Sequence, residues 1–169
     1  MSEYIKKGRA FKFGDNISTD HIAPGRLFHL RNDLVEFSKH VLEDADETFA
    51  SKVRHGDFVV AGNNFGLGSS REHAPQIIKI SGVGAVIAKS FARIFYRNAI
   101  NIGLLALECD TDKIDAGDEL ELDIKRGVLK DLTKNIELEI MPLPDVMIKL
   151  LDDGGLVAHL NKNGDFKLV

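Results

Sequence analysis

The chain has 169 residues, 44% of them hydrophobic and 28% charged, with ten Phe. That is enough apolar material to bury a core, and the whole length, 1–169, is expected to fold as one domain. A net charge of −4 leaves no basic field to hold nucleic acid or an anionic membrane, no apolar run nears the roughly 20 residues of a membrane span, and the start MSEYIKKGR lacks the apolar stretch of a signal peptide. The expected compartment is the cytoplasm, and the lone cysteine, Cys109, excludes an internal disulfide framework and any cysteine-built metal or iron–sulfur site made by this chain alone.

In chain order, Ala10 to Phe13 reads as a short strand with Phe11 and Phe13 facing one side. Gly14 to Arg26, GDNISTDHIAPGR, is too long and too polar for a simple connection. Its Asp20 and His21 are either turn residues making local hydrogen bonds or part of a site. Leu34, Phe37, Ser38 and Val41 space like a covering helix of about ten residues. Asp57 to Gly62 and Val83 to Ala88 read as buried strands flanking a helical segment, Gln76 to Val83, which makes a right-handed strand-helix-strand unit. Lys89 to Asn101 follows as a helix with Phe91, Ile94, Phe95 and Asn98 on one face and Arg93 and Arg97 on a solvated one; Gly103 ends it, and Leu104 to Glu108 is another buried strand. Alternating apolar residues over Glu119–Ile124, Val128–Leu132 and Asn135–Ile140 predict an antiparallel meander with one wet face, its first hairpin closed at Arg126-Gly127. Pro144 to Asp152 is an amphipathic helix ended by Gly154-Gly155, and Gly164 marks a last turn.

The stretch that concentrates chemistry is Ala61 to Pro75, AGNNFGLGSSREHAP. Gly62, Gly66 and Gly68 admit backbone conformations closed to other residues and keep side chains away from the space above the turn. Ser69, Ser70, Arg71, Glu72 and His73 follow directly. Ser69 with Glu72 fits a capping box, worth about 1 kcal/mol and nothing catalytic. A phosphate loop is the next rival, but there is no Gly-Lys-Ser/Thr, and Arg71 stands where a dinucleotide fingerprint needs a third glycine. Pro75 delays the regular helix to about Ala74–Gln76, which leaves Ser69 to Arg71 on an exposed shoulder.

GNNFGLGSSREHAP, with DNISTDHIAPGR upstream and AKSFARIFYRNAINIGLL downstream, resembles the small subunits of the aconitase superfamily. These are swivel domains that form separate chains in 3-isopropylmalate dehydratase, homoaconitase and 2,3-dimethylmalate dehydratase. The resemblance covers nearly the whole chain. It implies an α/β swivelling β/β/α fold, with a mainly parallel central sheet and an antiparallel C-terminal meander. It also implies a large partner subunit that holds a [4Fe-4S] cluster through its own cysteines, and a small hydroxy di- or tricarboxylate substrate that is dehydrated and rehydrated. This chain is then expected to bind neither cofactor nor metal by itself, and to be active only with that subunit.

By the same resemblance Ser69 is the base that removes a proton α to a carboxylate, and Arg71 grips the carboxylate in a fork that lysine cannot copy. Backbone N–H groups of the glycine turn and a helix N-terminus are suited to stabilise a serine alkoxide. Asp20 and His21 match the family's Asp-His and count with Ser69 as catalytic, while Ser70 counts with Arg71 in substrate binding. The family's substrate-sorting loop commonly reads Pro-Ala-Arg-Tyr-Leu-Arg-Thr, whereas this chain has Pro24-Gly25-Arg26-Leu27-Phe28-His29-Leu30-Arg31. Either Arg26 or Arg31 is therefore the second carboxylate clamp. Leu27, Phe28 and Leu30 form an apolar wall that favours an alkyl-bearing acid, isopropylmalate of leucine biosynthesis first, then dimethylmalate, over a homocitrate-type acid. The same loop also suits ordinary packing against the large subunit. From a different class, a stand-alone module holding a phosphate or carboxylate on the glycine turn remains open.

Overall fold

Strand β1 (Ile5–Lys12) joins two unlike halves of one sheet. In the computed structural model, which describes residues 4–164, the end of β1 pairs in parallel with β2 (Phe58–Ala61), and β3 (Ala85–Ala88) and β4 (Ala106–Glu108) continue that half in parallel. Its beginning, Ile5 to Arg9, pairs antiparallel with β5 (Glu119–Asp123), and β6 (Val128–Asp131) and β7 (Ile136–Glu139) extend the other half. The seven strands run in the order β4-β3-β2-β1-β5-β6-β7. The expected parallel centre and C-terminal meander are thus both present, fused into one mixed sheet through β1.

The β2 and β3 strands are buried on both faces, and their residues divide with the period of the pleat. Val59, Ala61, Val86 and Ala88 join one core, and Phe58, Val60, Ala85 and Ile87 join the other. In β5 only Leu120 and Leu122 are buried, which is the one-faced alternation expected of the meander.

Around the first core lie α1 (Thr19–Ile22), a 3-10 segment Gly25–Asn32, α2 (Leu34–Ser38), α3 (Phe49–Lys52), α4 (His73–Ile80) and α5 (Arg93–Asn101). The predicted ten-residue helix after Leu34 is shorter: α2 has five residues and gives way to turns in which Val41 and Leu42 still bury. The α5 helix starts at Arg93 rather than Lys89, and its buried stripe differs from the expected one. Phe95, Ala99 and Ile100 face the core, Ile94 is exposed, and Phe91 sits before the helix in a bridge to Phe65. In α4, likewise, Ile77 and Ile78 are buried while Ile80 is exposed.

Past α6 (Asp145–Asp152) the chain forms a further helix, α7 (Leu156–Asn163), where only a final turn was expected. Buried His159 fastens it through Nδ1 to Asp153 at 2.6 Å, and Lys162 reaches the same carboxylate at 2.6 Å. These contacts hold the Asp153 carboxyl at a pKa of about 2. Among the described residues no helix is long and apolar enough to cross a membrane.

Candidate active site

The loops leaving β1, β2 and β3 meet outside the carboxyl ends of the parallel strands, the place where open α/β sheets commonly bind ligands. They are laced together by backbone bonds. Asn16 N–H donates to the Asn63 carbonyl (2.8 Å), Gly66 N–H to Ile17 (2.7 Å), Thr19 N–H to Leu67 (2.8 Å) and Phe65 N–H to Ser90 (3.0 Å). Two glycines are dictated by this crowding. A Cβ on Gly62 would lie 1.9 Å from Asp15 Oδ1, and one on Gly66, whose φ is +84°, would lie 2.2 Å from the Phe95 ring. Phe65, Phe91 and Phe95 pack edge and face beneath the turn, with centroids 5.2 to 6.2 Å apart. Phe65 and Phe95 are buried, and each contributes about 1.5–3 kcal/mol through that burial.

On this base Ser69 and Ser70 are exposed and Arg71 is half-buried. With Gly25 and Phe28 they line an open hollow of about 480 Å3. Arg71 Nη1 donates to Asp20 Oδ1 at 2.8 Å and to the Ala23 carbonyl at 3.2 Å. Gly25 leaves room for that pair, since a Cβ there would sit 2.9 Å from Asp20 Oδ1. Asp20 is 68% exposed, so the pair belongs to the class of surface ion pairs worth about 0–1 kcal/mol, weak enough for another carboxylate to replace it.

The Phe28 ring lies between two cations, with the Arg31 guanidinium 4.6 Å and the Arg71 guanidinium 5.6 Å from its centroid. Beneath it His73 stacks on Phe37 and meets Phe28 edge-on at 5.6 Å. Burial first, then the Arg71 and Arg31 charges, lower the His73 pKa, so the ring is neutral at pH 7. Its Nε2 is buried with no hydrogen-bond partner among the described residues.

Three sequence expectations change here. The apolar wall is Phe28 alone: the segment kinks at Leu27, Leu27 and Leu30 pack against the core, and Phe28 and Arg31, three apart beyond the kink, stay exposed together. Arg26 is drawn away from the hollow to an acidic turn, 3.0 Å from Asp44 and 3.3 Å from Glu43. The Ser69–Glu72 capping box does not form: α4 is capped by Glu72 without a side-chain bond, and Ser69 Oγ instead meets the Thr19 hydroxyl at 3.3 Å.

The box is built at α1, where Ser18 Oγ accepts from His21 N–H and His21 Nδ1 accepts from Ser18 N–H at 2.9 Å. Because Nδ1 accepts, the neutral His21 ring carries its proton on Nε2 as a donor. Arg71 N–H closes a tight turn on the Ser69 carbonyl at 2.8 Å. Thr19 was not singled out from sequence for the site, and its immediate precedence to Asp20-His21 was the available signal; His73 was named in the glycine-rich stretch but given no role.

For a metal or cluster the residues do not fit. Among the described residues there is no group of three or more His, Cys, Asp or Glu placed to hold a metal ion. Cys109 is buried, and burial followed by the Asp110 charge pushes its thiol up to about 11, so it is a poor thiolate.

Residues 16–112, which span both laced loops and α5, match the family described as the aconitase C-terminal domain, and the chain belongs to that family. It is 63% identical over 161 residues to 3-isopropylmalate dehydratase small subunit 2 of Archaeoglobus fulgidus, covering 95% of this chain and 98% of that one. It is 61% identical over 164 residues to 3-isopropylmalate dehydratase small subunit 1 of Thermotoga maritima, covering 96% and 99%. The crystal structure of 3-isopropylmalate dehydratase (leuD) from Methanocaldococcus jannaschii superposes with a TM-score of 0.91 at 46% identity over 95% of each chain. Within the aconitase-type family, the chain therefore falls among the small subunits of 3-isopropylmalate dehydratase, a hydro-lyase.

Proposed function

We propose that this chain contributes one wall of a composite site that interconverts 2- and 3-isopropylmalate, in leucine biosynthesis, by removal and return of water, and that a large subunit supplies the opposite wall. The observation that carries this is the Ser69 hydroxyl and Arg71 guanidinium lining one open hollow with Phe28. Such a hollow is too open to exclude water until another surface covers it, and excluding water strengthens every charge interaction inside. A [4Fe-4S] cluster belongs to the large subunit in this reading and supplies Lewis acidity toward the leaving hydroxide.

The residues of this chain then divide the remaining work. Ser69, ionised beforehand by giving its own proton to solvent, takes the proton α to a substrate carboxylate and becomes a hydroxyl again. Arg71 exchanges its weak pair with Asp20 for that carboxylate and neutralises the charge that gathers there as the proton leaves. Asp20 and the Ala23 carbonyl keep the guanidinium aimed until then. Phe28 presents an apolar face to the alkyl group, which favours isopropylmalate over a tricarboxylic acid. Ser70 lines the same hollow and completes the substrate contacts.

The direct test pairs the purified chain with a cluster-bearing large subunit and measures water loss from isopropylmalate, dimethylmalate and homocitrate. Turnover is expected only with both chains and fastest with isopropylmalate. Activity of the lone chain overturns the subunit reading, and a preference for homocitrate overturns the substrate.

The second clamp is Arg31, which lies over the same Phe28 ring as Arg71, rather than Arg26, which is held by Asp44 and Glu43. Arg31→Ala is expected to raise KM by about 10-fold, the scale of one lost charge-assisted bond. Arg26→Ala is expected to leave KM within about 2-fold, because its ion pairs to Asp44 and Glu43 are solvent-exposed and weak. Steady-state kinetics of the two variants that reverse this order would return the role to Arg26.

A further inference from the structure

We infer that Thr19 is a positioning residue for Ser69, its hydroxyl turning to donate to Ser69 Oγ once Ser69 has given its own proton to solvent and before it takes the substrate's. The inference rests on the reading of Ser69 as the base. Thr19 is only 3% exposed, yet its hydroxyl finds Ser69 Oγ, 50 residues away in the chain, at 3.3 Å. A threonine at the first position of a helix has no need of such a partner, since its local work is done by its backbone and by the capping residue before it.

The placement of Thr19 is fixed from three directions. Its N–H donates to the Leu67 carbonyl at 2.8 Å, and its carbonyl accepts from Ala23 N–H at 2.8 Å. The neighbouring Ser18 is closed into a box with His21. A β-branched side chain on so fixed a backbone has little rotamer freedom. Gly68 completes the arrangement: its φ of +108° is a left-handed value, and a Cβ there would stand 3.1 Å from Thr19 Oγ1, so a larger residue would crowd the hydroxyl aimed at Ser69.

The chemistry follows from what a hydroxyl can do. Bonded to a neutral serine, Thr19 either donates or accepts; facing an alkoxide, it can only donate, and that bond is shorter and about twice as strong. The interaction therefore favours the ionised form of Ser69 and raises the fraction of sites that hold the base ready at a given pH, while the proton that Ser69 then takes from the substrate restores its hydroxyl. A separation of 3.3 Å, longer than a relaxed hydroxyl pair, is consistent with a contact that tightens when Ser69 ionises.

In the complex with the large subunit, Thr19→Val keeps shape and removes the hydroxyl, while Thr19→Ser keeps the hydroxyl. Thr19→Val is expected to lower kcat by about 10- to 100-fold at neutral pH with KM within about 2-fold, and to move the acid limb of the kcat profile to higher pH. Thr19→Ser is expected to restore most of the rate. Adding Thr19→Val to Ser69→Ala is expected to cost nothing further, because the two act as one unit. Wild-type kcat in a folded Thr19→Val complex, or a folded Thr19→Ser that is equally slow, overturns the proposal. If Thr19→Val does not assemble, Thr19→Ala is judged by the same measurements; failure of both to assemble makes the residue structural and also overturns it. Turnover surviving in Ser69→Ala would instead remove the base assignment itself.

Discussion

Replacing Ser69 with alanine is expected to lower kcat by about 10²- to 10⁴-fold, the usual contribution of a positioned proton-transfer group, while the chain still folds and joins its large subunit. The structure gives Ser69 little else to do. It is exposed, it caps no helix, and its hydroxyl makes one long bond to Thr19. A surface substitution of this kind changes stability by about 0.5 kcal/mol or less, which for a chain of this length shifts Tm by only about 1–2 °C. Had the residue been helix punctuation, the losses would be reversed, with a lower Tm and near-normal turnover. Kinetics and a melting curve of the same preparation therefore separate the two roles, and a large fall in Tm with activity retained would sink the base assignment.

Much of this arrangement was legible in the sequence because several local signals agreed. The apolar stretches at Phe58 and Ala85, with three glycines and Pro75 between them, left one place for the turn, and the alternation from Glu119 fixed the meander. Other features depend on contacts that sequence spacing does not display. The β1 strand begins at Ile5 because Ile5 to Arg9 pair with β5, and its two lysines and a glycine hid that extension. Lys7 is there to face Glu121, and Gly8 because a Cβ would lie 2.2 Å from the Gly56 carbonyl. The α7 helix is held by a buried His159–Asp153 pair rather than by an apolar stripe long enough to notice. Within the site, the loop after Pro24 kinks at Leu27, which sequence spacing does not display, so Leu27 was grouped with Phe28 although Leu27 packs against the core and Phe28 is exposed. Thr19 meets Ser69 only because two loops 50 residues apart are laced together.

Exchanging Arg71 for lysine keeps the positive charge and is nonetheless expected to lower kcat/KM by about 10²- to 10³-fold. One Arg71 nitrogen now serves both Asp20 Oδ1 and the Ala23 carbonyl, which leaves the rest of the planar fork to present to a substrate, and the guanidinium lies over the Phe28 ring. An ammonium offers a single point charge on a flexible stem, so it cannot hold that anchor and grip both oxygens of a carboxylate at once. Each charge-assisted bond lost costs about 1.5–3 kcal/mol, and the loss deepens as charge builds on the carboxylate during proton removal. For that reason kcat should fall along with the rise in KM, rather than KM changing alone. The stability cost should be small, since the pair with exposed Asp20 contributes at most about 1 kcal/mol. The opposite pattern, a lowered Tm with kcat and KM near normal, would mean that Arg71 serves to tie the Asp20–Gly25 loop to the turn, and the carboxylate would then have to be held from the large subunit's side.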